Sequence, residues 1–177
     1  MKTKFNVRAK ATDKELFFDR KKLISMLSEA LSEEWLTYYQ SWIGAILMEG
    51  PMKNEIKPEL FIHATQELNH ALALKERLHQ LGFSNEYTNS DQRKQARCQP
   101  PLNYYIESIL NKNLDNERIS IERYQQLADY TIERDPMTYQ MISKILDDEL
   151  NHVKAIEEWL SDISTVKERK HEFSFMA

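Results

Sequence analysis

Residues 66–71 read Gln-Glu-Leu-Asn-His-Ala, and residues 145–152 read Ile-Leu-Asp-Asp-Glu-Leu-Asn-His. Each stretch contains a glutamate that is followed three residues later by a histidine. On an α-helix this spacing places both side chains on one face, about one turn apart. Carboxylate and imidazole groups held in this way are typical metal ligands in the interior of helical bundles. The two stretches therefore predict two helices that each carry a pair of metal ligands.

The Glu-x-x-His string occurs four times in the chain, so position must decide which copies matter. His79 lies about 180° around the helix from His70, and His171 falls beyond the last periodic segment, so both are interpreted as solvated. Glu67 and Glu149, by contrast, lie in apolar stripes with helical spacing. These stripes are Leu60, Ala64, Ala71, Leu74 and Leu78 for the first, and Ile142, Ile145, Val153, Ile156 and Leu160 for the second. A carboxylate in such a stripe is costly to bury unless it is paired, protonated or metal-bound.

Two further glutamates pass the same test on two other segments. Glu34 lies in line with Leu27, Leu31 and Tyr38, whereas its neighbour Glu33 follows a polar face. Glu117 lies in line with an apolar stripe as well. That stripe contains Ile106, Leu110, Ile121, Tyr124 and Ala128. Each of four segments thus contributes one glutamate that is predicted to point inward.

Those four segments are amphipathic, with apolar residues spaced three and four apart. They extend approximately over residues 22–49, 58–82, 102–133 and 136–163. Gly50-Pro51 ends the first, Pro58 suits the first turn of the second, and Pro136 opens the fourth. The chain contains three glycines and five prolines among many helix-forming residues, which favours an all-α fold.

The connections between the segments predict the topology. The first and third connections are short, so each joins an antiparallel hairpin. The second is about twenty polar residues long and can run back along a helix. We therefore expect an antiparallel four-helix bundle with one long crossover between helices 2 and 3. Residues 1–21 would form a basic N-terminal arm, residues 22–163 the bundle and residues 164–177 a C-terminal tail.

Composition excludes several other classes of protein. A net charge of -4 gives no general case for nucleic-acid binding. Cys98 is the single cysteine, so an intrachain disulfide and a cysteine-based metal cluster are excluded. The sequence has neither an apolar leader nor the roughly 20-residue apolar run that a membrane span requires. These features predict a cytoplasmic protein without a membrane partner.

The register of the glutamates connects the two hairpins. Glu34 and Glu67 are equidistant from the Gly50-Pro51 turn, and Glu117 and Glu149 are nearly equidistant from the turn before Pro136. Residues equidistant from the turn of an antiparallel hairpin meet at the same depth. Six ligands are therefore expected to converge, namely Glu34, Glu67, His70, Glu117, Glu149 and His152. Two divalent cations would neutralise the four carboxylates, and these ligands suit iron, manganese or zinc. The alternative is a buried polar network that shares protons.

At these residues the sequence resembles the ferritin-like superfamily, in particular bacterioferritins and the bacterioferritin-like proteins related to Dps, the DNA-protection proteins of starved cells. The resemblance covers roughly residues 23–163. It is carried by residues 34–42 (Glu-Trp-Leu-Thr-Tyr-Tyr-Gln-Ser-Trp), by residues 113–117 (Asn-Leu-Asp-Asn-Glu) and by the two stretches quoted first.

The resemblance implies specific roles for the six residues. Glu67 and Glu149 would bridge two iron ions, Glu34 with His70 would complete one iron site, and Glu117 with His152 would complete the other. Proteins of this type oxidise Fe(II) with hydrogen peroxide or dioxygen and store the product in a hollow cage. Bacterioferritins bind haem through a methionine just after the bridging glutamate of the second helix. Leu68 stands at that position here, so no haem is predicted.

Other functions compete with a ferroxidase and iron-storage cage. One is a di-iron or di-manganese peroxidase or catalase that stores no metal. Another is a Dps-type structural protein that binds DNA through the basic arm, which is less favoured because the protein is acidic overall. The short segment after the fourth helix leaves little room for a fifth, which favours a homo-oligomer of twelve subunits over one of 24.

Several residues near the predicted site have weaker claims on function. Tyr38, one turn from Glu34, is interpreted as a core tyrosine, although it could also serve as a hydrogen-bond or electron donor. His63 lies about two turns before His70 and suits either a transient iron site or a buried contact. Asp148 is expected to be solvated or to support a ligand.

Overall fold

The computed structural model describes residues 19–83 and 103–175, with side chains through residue 169. The helices of these residues are α1 (Arg20–Leu47), α2 (Lys53–Gln80), α3 (Ile106–Thr131) and α4 (Pro136–Phe175). Within the described residues there is no strand, although one isolated bridge joins Glu49 to Tyr105. The all-α, four-helix prediction is confirmed. Among the described helices, none is both long and apolar enough to cross a bilayer.

The helix ends establish the antiparallel arrangement. At one end of the bundle, the Arg20 guanidinium at the start of α1 donates a hydrogen bond to the Leu81 carbonyl just after α2. At the other end, the Ile106 amide at the start of α3 donates to the Glu49 carbonyl over 2.8 Å. Residues 81 and 106 thus lie at opposite ends, so the connection between α2 and α3 is the predicted long crossover. Most of that connection, including Cys98, and nearly all of the basic arm lie outside the described residues.

The turn between α1 and α2 sets the register of the first hairpin. Gly50 has a φ of +122°, and a Cβ placed on it would lie 3.0 Å from Ile106 Cγ2, so glycine suits both the backbone and the space. Met52 adopts the left-handed conformation with a φ of 58° immediately before the first residue of α2. This compact turn allows the two helices to pack side by side over about 40 Å.

The apolar core forms two layers. The layer near the start of α1 contains Leu23, Leu27, Ala30, Leu31, Ala71, Leu74, Leu78, Leu81, Tyr124, Leu127, Ile142 and Ile145. The layer near the end of α1 contains Ala45, Met48, Ile56, Leu60, Ile106, Ile109, Leu110, Leu114, Ile156 and Ile163. Each buried aliphatic side chain contributes about 1.5–3 kcal/mol to stability. The polar residues of the candidate site lie in the gap between the layers.

Helices α1 and α3 are held together by a close approach and an ion-pair network. A Cβ on Gly44 would lie 2.8 Å from Ile109 Cγ2, so a glycine permits the approach at that point. Farther along, the Arg123 guanidinium donates to Glu29 over 2.8 Å and to Glu33 over 2.6 Å. The polar face predicted for α1 therefore serves as a contact with α3.

The prediction that the second helix begins near Pro58 is wrong, because α2 begins at Lys53 and contains Pro58 in its second turn. A proline early in a helix removes one backbone hydrogen bond without forbidding the preceding turn. Here that turn is fixed by Ile56, which is buried in the second apolar layer. Tertiary packing outweighs the preference of proline for the first helical position.

The prediction that the fourth helix fades near Ile163 is also wrong. The segment expected to be a tail from residue 164 continues α4 to Phe175. Ile163 is the last fully buried apolar residue of α4 among the side chains described, so apolar periodicity gave no signal beyond it. Past it, the Lys167 ammonium contacts Glu107 at the start of α3 and lies 5.0 Å from the centre of the Tyr105 ring. These surface contacts accompany the extension of the helix.

Candidate metal centre

Each helix places one glutamate in the gap between the two apolar layers. These four side chains are almost completely inaccessible to solvent, and so are the two histidines one turn after Glu67 and Glu149. The structure brings together all six residues, which are Glu34, Glu67, His70, Glu117, Glu149 and His152. The register that places them at one level follows from the equal distances of the glutamates from their hairpin turns.

The first half of the site is centred on His70. Its Nδ1 atom lies 3.1 Å from Glu149 Oε1 and 3.5 Å from an oxygen of each of Glu34 and Glu67. One ligand atom from each of these four residues lies within 4.8 Å of the others. A divalent metal ion can be coordinated by oxygen and nitrogen atoms that lie this close together.

The second half is centred on His152 and mirrors the first. Its Nδ1 atom lies 2.9 Å from Glu67 Oε1 and 3.7 Å from an oxygen of each of Glu117 and Glu149. These four residues also form a cluster within 4.8 Å. Glu67 and Glu149 belong to both clusters, so their carboxylates are placed where they could bridge two ions.

The outward-facing nitrogen of each imidazole meets a side chain from the other hairpin. His70 Nε2 lies 3.2 Å from Asp148 Oδ2, and His152 Nε2 lies 3.0 Å from Gln66 Oε1. Both acceptors require the Nε2 atom to carry the hydrogen. Nδ1 of each ring faces the carboxylates and can offer a lone pair to a metal once it has lost its proton.

Tyr124 of α3 adds a hydrogen bond that the sequence interpretation missed. Its hydroxyl donates to Glu34 Oε1, and burial, followed by the neighbouring carboxylates, raises the pKa of this tyrosine well above its ordinary value. The available signal was the position of Tyr124, seven residues after Glu117 on the same helical face. Tyr38 is half-buried, and its ring packs edge-on against Trp35 with the centroids 6.0 Å apart.

Many buried polar atoms of the site have no hydrogen-bond partner. They are Glu34 Oε2, Glu67 Oε1, Glu117 Oε2, both carboxylate oxygens of Glu149, and the Nδ1 atoms of His70 and His152. Leaving buried polar atoms unsatisfied is costly, about 1–3 kcal/mol for each group. All of these atoms face one another and are oxygen or nitrogen donors, so the residues fit a pair of divalent metal ions well.

The pKa values of the four carboxyl groups shift in two opposite directions. Burial raises the pKa of Glu34 and of Glu117 well above the usual range. Burial would also raise the pKa of Glu67, but the two neighbouring imidazoles outweigh it and hold that pKa well below its ordinary value. At Glu149 burial is outweighed by the contact with Glu117 and by the same imidazoles, so its pKa is lowered as well.

The imidazoles show the complementary shift. Burial alone would lower the pKa of both, but the carboxylates outweigh burial. Contacts with Glu149 and Glu34 raise the pKa of His70 far above its ordinary value, and contacts with Glu117 and Glu149 raise that of His152 to about 12. Without a metal, these shifts favour the protonated form of both imidazoles and of Glu34 and Glu117, and the ionised form of Glu67 and Glu149.

His63 belongs to the surroundings of the site. It is buried, and its ring stacks on that of His152 with the centroids 4.3 Å apart. The Trp159 ring is tilted by 36° relative to the His63 ring, with the centroids 4.9 Å apart. Burial, followed by the charge of His152, lowers the pKa of His63 to about 4, so it is uncharged at neutral pH. The competing motif at Glu76 and His79 is exposed on the outside of α2.

Comparison with known proteins agrees with this architecture. The ferritin-like domain family matches residues 24–166. The DNA protection during starvation protein of Pyrococcus furiosus is 30% identical over 159 residues, which cover 86% of this chain and 82% of that protein.

Solved structures of related proteins have the same fold. A structure described as a dodecameric thioferritin, the bacterioferritin-related protein of Bacteroides fragilis, is 35% identical with a TM-score of 0.81, covering 88% of this chain and 94% of that one. The Dps protein of Vibrio cholerae is 17% identical with a TM-score of 0.72, covering 80% and 90% of the two chains, and shares the fold. The match of the domain family to most of the chain, together with these relatives, shows that the protein belongs to the ferritin-like family, among its Dps-like and bacterioferritin-like members.

Proposed function

We propose that the protein is a ferroxidase that oxidises Fe(II) with hydrogen peroxide or dioxygen and stores the product, which protects the cell from oxidative stress. The observation that carries this proposal is the pair of overlapping ligand clusters that share Glu67 and Glu149. Two clusters with shared carboxylates suit two metal ions held close together. A single structural ion would need only one of them.

In this proposal the six side chains act as ligands and the surrounding bundle excludes water. Glu34 and His70 would hold one ion, Glu117 and His152 would hold the other, and Glu67 with Glu149 would bridge them. A bound pair of Fe(II) ions supplies one electron each, so an oxidant could be reduced by two electrons without release of a radical. Manganese or zinc are possible substitutes, and no haem is part of the proposal.

We further propose that the chains assemble into a hollow homo-oligomeric cage of twelve subunits. The Bacteroides fragilis relative, described as dodecameric, supports this number over 24. DNA binding through the N-terminal arm stays a less favoured prediction, because the protein is acidic overall. Residues 1–18 of that arm lie outside the described part of the chain. A di-iron or di-manganese peroxidase that stores no metal remains the alternative enzyme.

The decisive experiment is an anaerobic Fe(II) titration of the purified protein, followed by addition of oxidant. We expect two Fe(II) ions per chain and rapid oxidation in the wild type, with both lost in Glu67→Ala. Glu76→Ala is the matched control, because it removes a glutamate from the same Glu-x-x-His string on the exposed face of α2. Normal iron oxidation by Glu67→Ala would contradict the proposal. The mass of the assembly and the presence of a mineral core separate a storage cage from a small peroxidase.

A further inference from the structure

We infer that the two metal positions are not equivalent and that a divalent cation fills the Glu34/His70 position first. This inference rests on the proposed function, because it assumes that the six residues bind a metal pair. Its basis is a difference in charge between the two side chains that accept a hydrogen bond from Nε2 of the ligand imidazoles. His70 is held by an aspartate and His152 by a glutamine.

The two supporting contacts occupy equivalent places in the fold. Gln66 immediately precedes Glu67 on α2, and Asp148 immediately precedes Glu149 on α4. Each side chain reaches across to the imidazole on the opposite helix, over 3.0 Å and 3.2 Å respectively. Both side chains are half-buried. The geometry of these two supporting contacts is therefore matched, and what distinguishes one contact from the other is the charge of the acceptor.

That charge changes how strongly each imidazole binds a metal. In both rings Nε2–H donates to the acceptor while Nδ1 faces the carboxylates. An anionic acceptor attracts the Nε2 hydrogen more strongly and pushes electron density toward Nδ1, which makes the nitrogen a better metal ligand. A neutral amide oxygen orients the ring but adds less electron density. His70 should consequently bind a cation more tightly than His152.

The remaining ligands do not reverse this order. Glu67 and Glu149 belong to both clusters, so neither carboxylate is reserved for one position. Tyr124 donates to Glu34 Oε1, which draws some charge from that carboxylate, but Glu34 Oε2 stays without a partner and faces the site. The hydrogen bond also fixes the orientation of the carboxylate before a metal arrives. The Glu34/His70 position thus has a carboxylate that is already oriented for metal binding.

The test is an anaerobic titration of the assembled protein with Co(II), followed by calorimetry and by the visible absorption of the bound ion. We expect two binding steps of one ion per chain whose affinities differ by about tenfold or more. Asp148→Asn keeps the shape of the acceptor and should weaken the first step by roughly 10–100-fold. Gln66→Glu should instead strengthen the second step. Both changes should shift the absorption bands of the step that they affect.

Asp147→Asn is the matched control, since it removes the same charge from the adjacent, exposed residue of α4 and should leave both steps unchanged. The melting temperature without metal separates a folding defect from an effect on the ligand. A crystal with one Co(II) per chain should show the ion beside His70 by anomalous scattering.

Three results would overturn this inference and leave the proposed function standing. They are a Co(II) ion found beside His152 in the crystal, two binding steps of equal affinity, or an Asp148→Asn titration identical to that of Asp147→Asn. Failure of the wild type to bind any Co(II) would overturn the proposed function with it.

Discussion

The charge of each candidate ligand is set by burial and by its neighbours, and this determines what a metal must displace. Without a metal, the protonated form is favoured at four groups, because the pKa of each is raised: His70, His152, Glu34 and Glu117. A metal pair requires neutral imidazoles and ionised carboxylates. Binding should therefore release up to four protons, two from the imidazoles and two from the carboxyl groups.

The sign of the pH dependence follows directly. Protons compete with the metal for groups whose pKa is raised, so affinity should increase as the pH rises and decrease as it falls. Calorimetry in buffers of different ionisation enthalpy measures the number of protons released by Zn(II) or Co(II) at neutral pH. Metal binding without proton release would mean that the six residues are already deprotonated, contrary to the shifts described above.

At this same scale, the sequence could predict that the six residues converge, because each glutamate lies in an apolar stripe and at a matched distance from a turn. It could not predict the groups that surround them. Gln66 and Tyr124 contact the site across helices, and no string in the sequence encodes which cross-helix side chain reaches His152 or Glu34. Asp148 was expected either to be solvated or to support a ligand. Its contact with the His70 imidazole favours the supporting role.

At the scale of the helices, the start of α4 is fixed by Asp135. Its carboxylate accepts hydrogen bonds from the Thr138 amide over 3.2 Å, from the Thr138 hydroxyl over 2.5 Å and from the Arg77 guanidinium over 2.7 Å. One residue thereby caps α4 and ties it to the end of α2. Burial would raise the pKa of Asp135, but Thr138 and Arg77 outweigh it and lower that pKa.

We expect Asp135→Ala to lower the free energy of unfolding by about 1–3 kcal/mol, because the cap is lost and the half-buried Arg77 guanidinium loses its carboxylate partner. Asp19→Ala is the matched control. Asp19 caps α1 in the same way but is exposed, so its loss should cost about 0.5–1 kcal/mol. Thermal or denaturant unfolding of the metal-free protein measures both.

A group with a lowered pKa stabilises the fold above its ordinary pKa, and that stabilisation is lost as the pH falls. The difference between wild type and Asp135→Ala should hence shrink below the ordinary value of 3.8. A constant difference across that range would show that the carboxylate charge is not involved.

The helices also show which features apolar periodicity predicts and which it does not. Apolar periodicity predicts the middle of each helix because the buried stripe requires it, as at Leu27 or Ile142. It fails at the ends, where single contacts decide. A buried Ile56 extends α2 before Pro58, and α4 continues past Ile163 on helix-forming residues that make contacts on the surface alone.

On the scale of the whole molecule, the outer face of α1 carries an apolar stripe. Trp35, Tyr39, Trp42 and Ile46 follow one another at four-, three- and four-residue spacing, so they share one side of the helix. Each is 40–45% exposed. Bulky side chains arranged in this way are typical of a subunit interface. A twofold axis through the middle of the stripe would pair two copies of α1 in antiparallel fashion.

If the stripe holds subunits of the proposed cage together, a charge at its centre should disrupt the assembly without unfolding the chain. We expect Trp42→Lys to reduce the mass measured by light scattering from that of a cage to that of a small species, while helical content is retained. Ile119→Lys is the matched control, because Ile119 is 55% exposed on α3 but has Asp115 and Glu122 as its neighbours on that face. An intact cage in Trp42→Lys would assign the stripe to another role. Dissociation in both variants would show that assembly responds to any added charge, so only a difference between them supports an interface on α1.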